Sequence, residues 1–322
     1  MRTQPRTGTA LALAALAVVY VVWGSTYLAI RVGVRDLPPG ILAGTRYLLA
    51  GLVLFPAALR TGSSQLRVTD RPRREQWLAC GVVGVLLLVL GNGGVTVAER
   101  TVPSGLAAVL VATVPLWMVV FGVVLQGNRV GATAVLGLLL GLAGVAVLAR
   151  GGPLRGHWIG MTIVLVAAAS WGLGSVLGSR LALPRRVLVG AAMEMIVAGV
   201  ALLAAGALSG EFTRVHWSAV HASSLLALAW LIVPGSILAF TAYGYSLANL
   251  PLPVVSTYAY VNPVVAVALG AAILGETFTL REAAGTALVV CSVALTLRHV
   301  QRQPDAAPEP ADGMPRVAEP RA

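Results

Sequence analysis

Lysine is absent from this sequence, and charge of any kind is scarce: Asp, Glu and Arg together make up 11% of the chain, against 57% hydrophobic residues. So few charged side chains cannot cover a water-soluble domain of this size, so water is not the solvent in which the chain folds. Long polar stretches are also missing. The one extended polar connector, 60–76, and the Pro-, Ala- and charge-rich stretch 301–322 lack apolar periodicity, so neither can hold a separate folded domain; 301–322 is expected to be a disordered cytoplasmic tail. Cysteine is limited to Cys80 and Cys291, both inside apolar runs and neither in a partner motif, so they are read as small packing residues and not as a disulfide or metal pair. Catalytic signatures are lacking: there is no HExxH, no GxSxG and no pair of intramembrane Asp, and His157, His216, His221 and His299 fall in loops or at helix ends. No enzyme, cofactor or bound metal is expected.

What fills the chain is a succession of apolar runs. A hydrocarbon core about 30 Å thick needs roughly 20 apolar residues per helical crossing. Such runs occur at 9–30, 40–59, 77–97, 103–125, 131–149, 158–182, 187–207, 219–247, 253–273 and 281–299, which predicts an all-α integral membrane protein of ten transmembrane helices. The first run follows Arg2 and Arg6 as a secretory leader would. It continues through VVWGSTYLAI to spanning length and has a counterpart later in the chain, so it is read as a span. The net charge of +11 resides in arginines of membrane-flanking loops, not on one face of a globular domain, which argues against nucleic acid as a partner. Fifteen arginines fall on the side of the two termini and seven on the other, so the positive-inside rule predicts cytoplasmic termini and a multi-pass protein of the bacterial inner membrane.

The chain is also internally repeated. Trp23-Gly24 recurs as Trp171-Gly172, and the same 148-residue offset (171 − 23) pairs Pro103 with Pro251, Pro115 with Pro263, Gly127 with Gly275 and Ala50-Gly51 with Ala198-Gly199. Two five-helix units follow, 9–150 and 157–299. Because five is odd, the second must enter the membrane from the opposite side, the inverted-repeat arrangement that underlies alternating access in many transporters.

Pro115 and Pro263 stand twelve residues beyond prolines that open their helices, about 18 Å along at 1.5 Å per residue. Each removes a hydrogen bond to the carbonyl four residues earlier, Val111 or Ala259, so kinks near the midplane and a central cavity between the halves are expected. Polar and aromatic residues gather on the same and neighbouring helices: Thr113 and Trp117; Ser256, Tyr258, Tyr260 and Asn262 in STYAYVNP; Asn92 in GNGGVT; and Tyr243. Trp23, Tyr27 and Arg31 form an i, i+4, i+8 stripe matched by Trp171, Ser175 and Ser179. Each is a candidate cavity residue, with interhelical hydrogen bonding as the alternative role.

Two charges lie within runs, Arg46 and Glu194, and the repeat offset aligns them (194 − 46 = 148). Inversion separates them by roughly 10 Å in depth, so each is expected to face the polar interior, Arg46 as an anion contact and Glu194 as a proton or cation site. Glu99, Arg100, Glu276 and Arg281 sit at helix ends and are read as boundary residues.

The strings WGSTYLAI, GNGGVTVAE, VPSGLAAVLVATVPL, GSVLGSR and STYAYVNPVVAV resemble the drug/metabolite transporter superfamily, in its EamA branch and its YedA-like exporters, over essentially the whole chain. That resemblance implies two inverted EamA repeats, a central cavity and export of a small metabolite, amino acid or drug-like solute, with membrane lipid as surroundings and neither substrate nor oligomeric state specified. A channel or lipid-translocating protein is the alternative, although no filter or ring of like charges is present.

Overall fold

The computed structural model describes residues 6–60, 72–127, 132–149, 158–255, 257–277 and 279–302, and among them the chain is helical without strands. Its long segments are α1 (Arg6–Gly33), α2 (Pro39–Arg60), α3 (Arg74–Ala98), α4 (Ser104–Gln126), α5 (Ala132–Ala149), α6 (Trp158–Gly178), α7 (Val187–Leu208), α8 (Ala222–Asn249), α9 (Tyr258–Leu274, preceded by the single turn Leu252–Val255) and α10 (Leu280–Arg302). Seven of these are long and apolar enough to cross a membrane; α5, α9 and α10 contain the shorter apolar stretches Val135–Val147, Val261–Leu274 and Ala283–Ser292. Large apolar side chains such as Leu52, Leu78, Leu139, Val166 and Leu226 stand exposed on the outside. That surface would be costly in water and costs nothing against lipid tails.

Small residues let the helices approach closely. Between α2 and α7, Gly40 faces Gly206, Gly44 faces Leu203, Gly199 faces Leu48 and Gly51 faces Ile196, so the two run antiparallel. Between α5 and α10, Gly144 lies against Gly285 and Val289, and Gly141 against Ser292, again antiparallel. Gly105 of α4 meets Val267 of α9 in the same sense. Each of these partners is the other's counterpart in the repeat, so counterpart helices pack head to tail. The remaining contacts follow the same exchange: α1 packs on α8 and α9, and α6 packs on α3 and α4. The packing of Gly24 on Val265 reappears, 148 positions removed in each partner, as Gly172 on Trp117.

Backbone irregularities repeat as well. A π-helical stretch interrupts α3 at Val85–Gly93 and α8 at Val233–Leu238, their starts 148 positions apart (233 − 85). π-turns free carbonyls from the helical ladder, and the facing helix of the other half supplies donors: Ser170 Oγ to Leu86 O at 2.9 Å, and Trp23 Nε1 to Gly235 O at 3.2 Å. Both α4 and α9 end on a left-handed glycine, Gly127 (φ 67°) and Gly275 (φ 64°), the conformation in which a side chain would be strained.

The two mid-helix prolines behave differently. At Pro115 the helix breaks at Ala112–Thr113, and Leu110 O accepts both the N–H and the hydroxyl of Thr113, at 3.1 and 2.6 Å. At Pro263, α9 continues unbroken, and the interruption lies earlier, between Val255 and Tyr258. Cys80 is buried as a packing residue, whereas Cys291 lies on an exposed face.

A candidate solute site at the junction of the halves

Trp23, projecting from the middle of α1, is the centre of an aromatic cluster. Its ring lies 5.2 Å from Phe240, 5.1 Å from Tyr243 and 5.2 Å from Tyr258, and Tyr243 and Tyr258 meet edge to face at 5.7 Å. Such offset and edge-on pairs hold rings rigidly while leaving π-faces and hydroxyls for a ligand. The hydrogen bond from Trp23 to the π-turn of α8 fixes the indole in place. Asn262 is buried beneath this cluster; with its amide nitrogen turned toward them, it donates to Tyr20 O at 3.3 Å and Tyr258 O at 3.2 Å.

Next to the aromatics is a charged group. Arg46 is only 3% exposed. Its Nε donates to Ser236 Oγ at 2.9 Å, its Nη1 to Asn92 Oδ1 at 3.4 Å, and its guanidinium lies 4.8 Å above the Tyr47 ring. Asn92 comes from the π-stretch of α3 and Ser236 from that of α8, so both irregular turns contribute to one polar cluster. None of the described partners of Arg46 is an anion. A buried cation held by neutral groups alone retains strong attraction for an incoming negative charge. Tyr27, one turn beyond Trp23, lies within Coulombic reach of Arg46, of Glu99 and of Tyr258.

Glu99 corrects its reading as a solvated boundary residue. It is 0% exposed, and neither carboxylate oxygen has a hydrogen-bond partner. Arg31 of α1 donates instead to the backbone carbonyl of Glu99. Sequence position alone suggested solvent because α3 ends there; in the fold Arg31 of α1 lies against it. The repeat carried an unread signal, since the counterpart of Glu99 is Leu247 (99 + 148).

The other sequence candidates do not join this cluster. Trp117 and Trp171 sit on the α4–α6 side, Trp117 against Gly172 and Phe121, Trp171 against Gly91. Ser175 and Thr113 satisfy backbone carbonyls of their own helices, Trp171 O and Leu110 O. Glu194 is half-buried, its backbone against Gly84 and its charge near Cys80. Ser256 and the side chain of Tyr260 lie outside the described residues.

A separate pocket of about 360 Å³ opens at the bundle end opposite the chain termini, with Arg35, Asp36, Arg100, Glu211, Arg214 and His216 among its walls. Its acids are engaged. Asp36 accepts from Ser224 Oγ at 2.7 Å and His221 N at 3.0 Å, and these bonds hold its carboxyl below the usual carboxylate range, the serine contributing most. Glu211 caps α2 through Gly40 N and Ile41 N, at 3.2 and 3.0 Å. Nearby, Glu276 caps α4, accepting from Ser104 N and Oγ at 3.0 Å and from Gly105 N at 3.3 Å. Each cap places a carboxylate at the positive end of a helix, joining second-half residues to first-half helices. Among the described residues, no group of His, Cys, Asp and Glu is arranged to hold a metal.

The EamA-like transporter family matches the chain twice, over residues 9–150 and 158–298. The protein belongs to that family. This EamA-family chain is 42% identical over 282 residues to the inner membrane transporter YedA of Escherichia coli (strain K12), covering 87% of this chain and 89% of that protein. It is 30% identical to the transporter YvbV of Bacillus subtilis (strain 168), covering 92% and 93%. It is 26% identical to a protein of Salmonella typhimurium (strain LT2) named "Probable amino-acid metabolite efflux pump", covering 85% and 91%. A solved crystal structure with 22% identity superposes with a TM-score of 0.60 over 92% of this chain and 99% of its own, a likeness of fold alone.

Proposed function

We propose that this membrane transporter is a secondary exporter of a small metabolite, amino acid or drug-like solute, working by alternating access across the cell membrane. In this reading all ten long segments span the bilayer as two inverted five-helix repeats, with both termini cytoplasmic. The observation that carries it is the buried Arg46 and its polar partners beside the Trp23 cluster. A buried guanidinium whose hydrogen-bond partners among the described residues are Ser236 and Asn92, set between helices of both halves beside a cluster of aromatic rings, suits a solute with an anionic group and an apolar body. The head-to-tail packing of counterpart helices supports inversion, because exchanging the roles of the halves would produce an arrangement open to the opposite side. The efflux function named for the Salmonella relative supports the outward direction.

The test is a flux screen of purified protein in sealed vesicles, with and without an imposed proton gradient, against amino acids, nucleosides and hydrophobic cations. Saturable flux of a carboxylate-bearing solute is expected. Arg46→Ala should weaken its apparent affinity by on the order of tenfold to a hundredfold, the loss of a charged hydrogen-bonding contact worth about 1.5–3 kcal/mol. Unsaturable ion current in place of saturable flux would overturn the reading in favour of a channel.

A further inference from the structure

We propose that Glu99 is the group on which this transporter takes up and releases a proton; the assignment rests on the transport reading above and moves the coupling site there from Glu194. Among the described residues, the two Glu99 oxygens are, with the Thr286 hydroxyl, the buried side-chain atoms that lack a hydrogen-bond partner. An ionised carboxylate cannot rest cheaply in such a place, whereas the neutral acid can. The described charged and titratable groups acting on it are Arg31 and Tyr27 of α1, Arg46 of α2, and Glu276 beyond the end of α9. Arg31 is already beside it, bonded to its backbone carbonyl.

Two states follow. With the proton on Glu99, Arg31 remains on the main chain as observed. When the carboxyl O–H breaks and its proton passes to water, the carboxylate left behind pairs with the Arg31 guanidinium, which stays charged throughout. The exit assigned to the proton is the 360 Å³ pocket at the bundle end, which the adjoining residue, Arg100, lines. Inward, Tyr27 and Arg46 lie within electrostatic reach of Glu99 and also border the aromatic cluster. An anion arriving at Arg46 therefore alters the balance at Glu99, and protonation of Glu99 alters the affinity for that anion in turn, since linkage is reciprocal. Glu194 has no comparable connection: it faces Cys80 and the backbone of α3.

The experiment is an infrared pH titration of purified protein in detergent, following the carbonyl stretch of protonated carboxyl groups. Wild type should retain such a band after its exposed carboxylates have ionised. The band should be lost in Glu99→Gln and kept in Glu194→Gln, while Glu99→Asp keeps a band with a displaced midpoint. A band unchanged in Glu99→Gln overturns the proposal. Should that variant fail to fold, Arg31→Gln decides: loss of the neighbouring cation should move the midpoint to higher pH, and an unmoved midpoint also overturns it. In vesicles, an imposed proton gradient should accelerate wild-type flux and leave Glu99→Gln flux unaltered; equal acceleration of both counts against Glu99. A wild type showing the Glu99 band but no saturable flux for any solute would instead refute the transport reading.

Discussion

Adding one carbon at Gly199 should force α2 and α7 apart. A Cβ there would lie 2.4 Å from Leu48 N and 2.7 Å from its Cα, whereas ordinary contact begins near 3.4 Å. The obstacle is backbone, which no rotamer change can move, so the helices must separate by about 1 Å along a tightly packed crossing. Overpacking of this kind costs about 1–3 kcal/mol, and alanine's helix propensity returns up to ~1 kcal/mol of it. The net expectation for Gly199→Ala is a destabilisation of about 1–2 kcal/mol. Gly81→Ala is the matched control: its Cβ would meet only Val197 Cγ1, at 3.9 Å, so the propensity gain of ~0.5–1 kcal/mol should appear alone. Gly51→Ala presses on the same crossing through Ile196 N at 2.9 Å, and combined with Gly199→Ala it should cost less than the two separately, because one displacement relieves both. Unfolding of the purified variants in mild detergent, followed by helical circular dichroism, gives the ranking. Equal stability of Gly199→Ala and Gly81→Ala would refute the close crossing.

Removing the α4 cap by Glu276→Ala should lower stability by about 1–3 kcal/mol in the same assay, with Glu276→Gln between that variant and wild type, since it abandons two backbone N–H groups and a hydroxyl; wild-type stability in both would remove the cap from the account. The Asp36 latch predicts an acid effect. Its carboxyl is held below its unfolded value, so its stabilisation is complete above the ordinary carboxylate range and is lost as pH falls through the lowered value. The thermal stability difference between wild type and Asp36→Asn should therefore be constant near neutrality and shrink in acid, and a difference that does not vary with pH would contradict it.

Much of the architecture was legible because hydrophobic runs, Gly and Pro act through local physics: run length marked the segments, and Trp-Gly and Pro spacings marked the repeat. The site was legible only in outline. Trp23, Tyr27, Tyr243 and Asn92 stood out because aromatic and amide groups are conspicuous among Leu and Val, but their separation from Trp117 and Trp171 depends on which helices touch. Thr113 and Ser175 look like ligand groups in sequence and serve backbone carbonyls in the fold. The π-stretches that bring Asn92 and Ser236 to Arg46 have no residue signature of their own, and Glu99 meets Arg31 of α1 from 68 positions away along the chain. Likewise, Glu211 and Glu276 find their helix ends across more than 170 positions, through tertiary structure alone.

The flanks of α7 bear on how such a molecule can move. Glu211, just past its end, grips the first turn of α2, and Arg186, just before its start, donates to Ala58 O and Leu59 O in the last turn of α2. Negative charge thus meets the positive pole of α2 and positive charge its negative pole, both supplied by the sequence that brackets a single partner helix. Fastened at both extremities and interlocked through glycines between, α2 and α7 form a strut built to resist shear. On the proposed alternating-access cycle, distance probes placed across that pair should report one fixed separation throughout turnover, while probes from the strut to α1 or α6 should change.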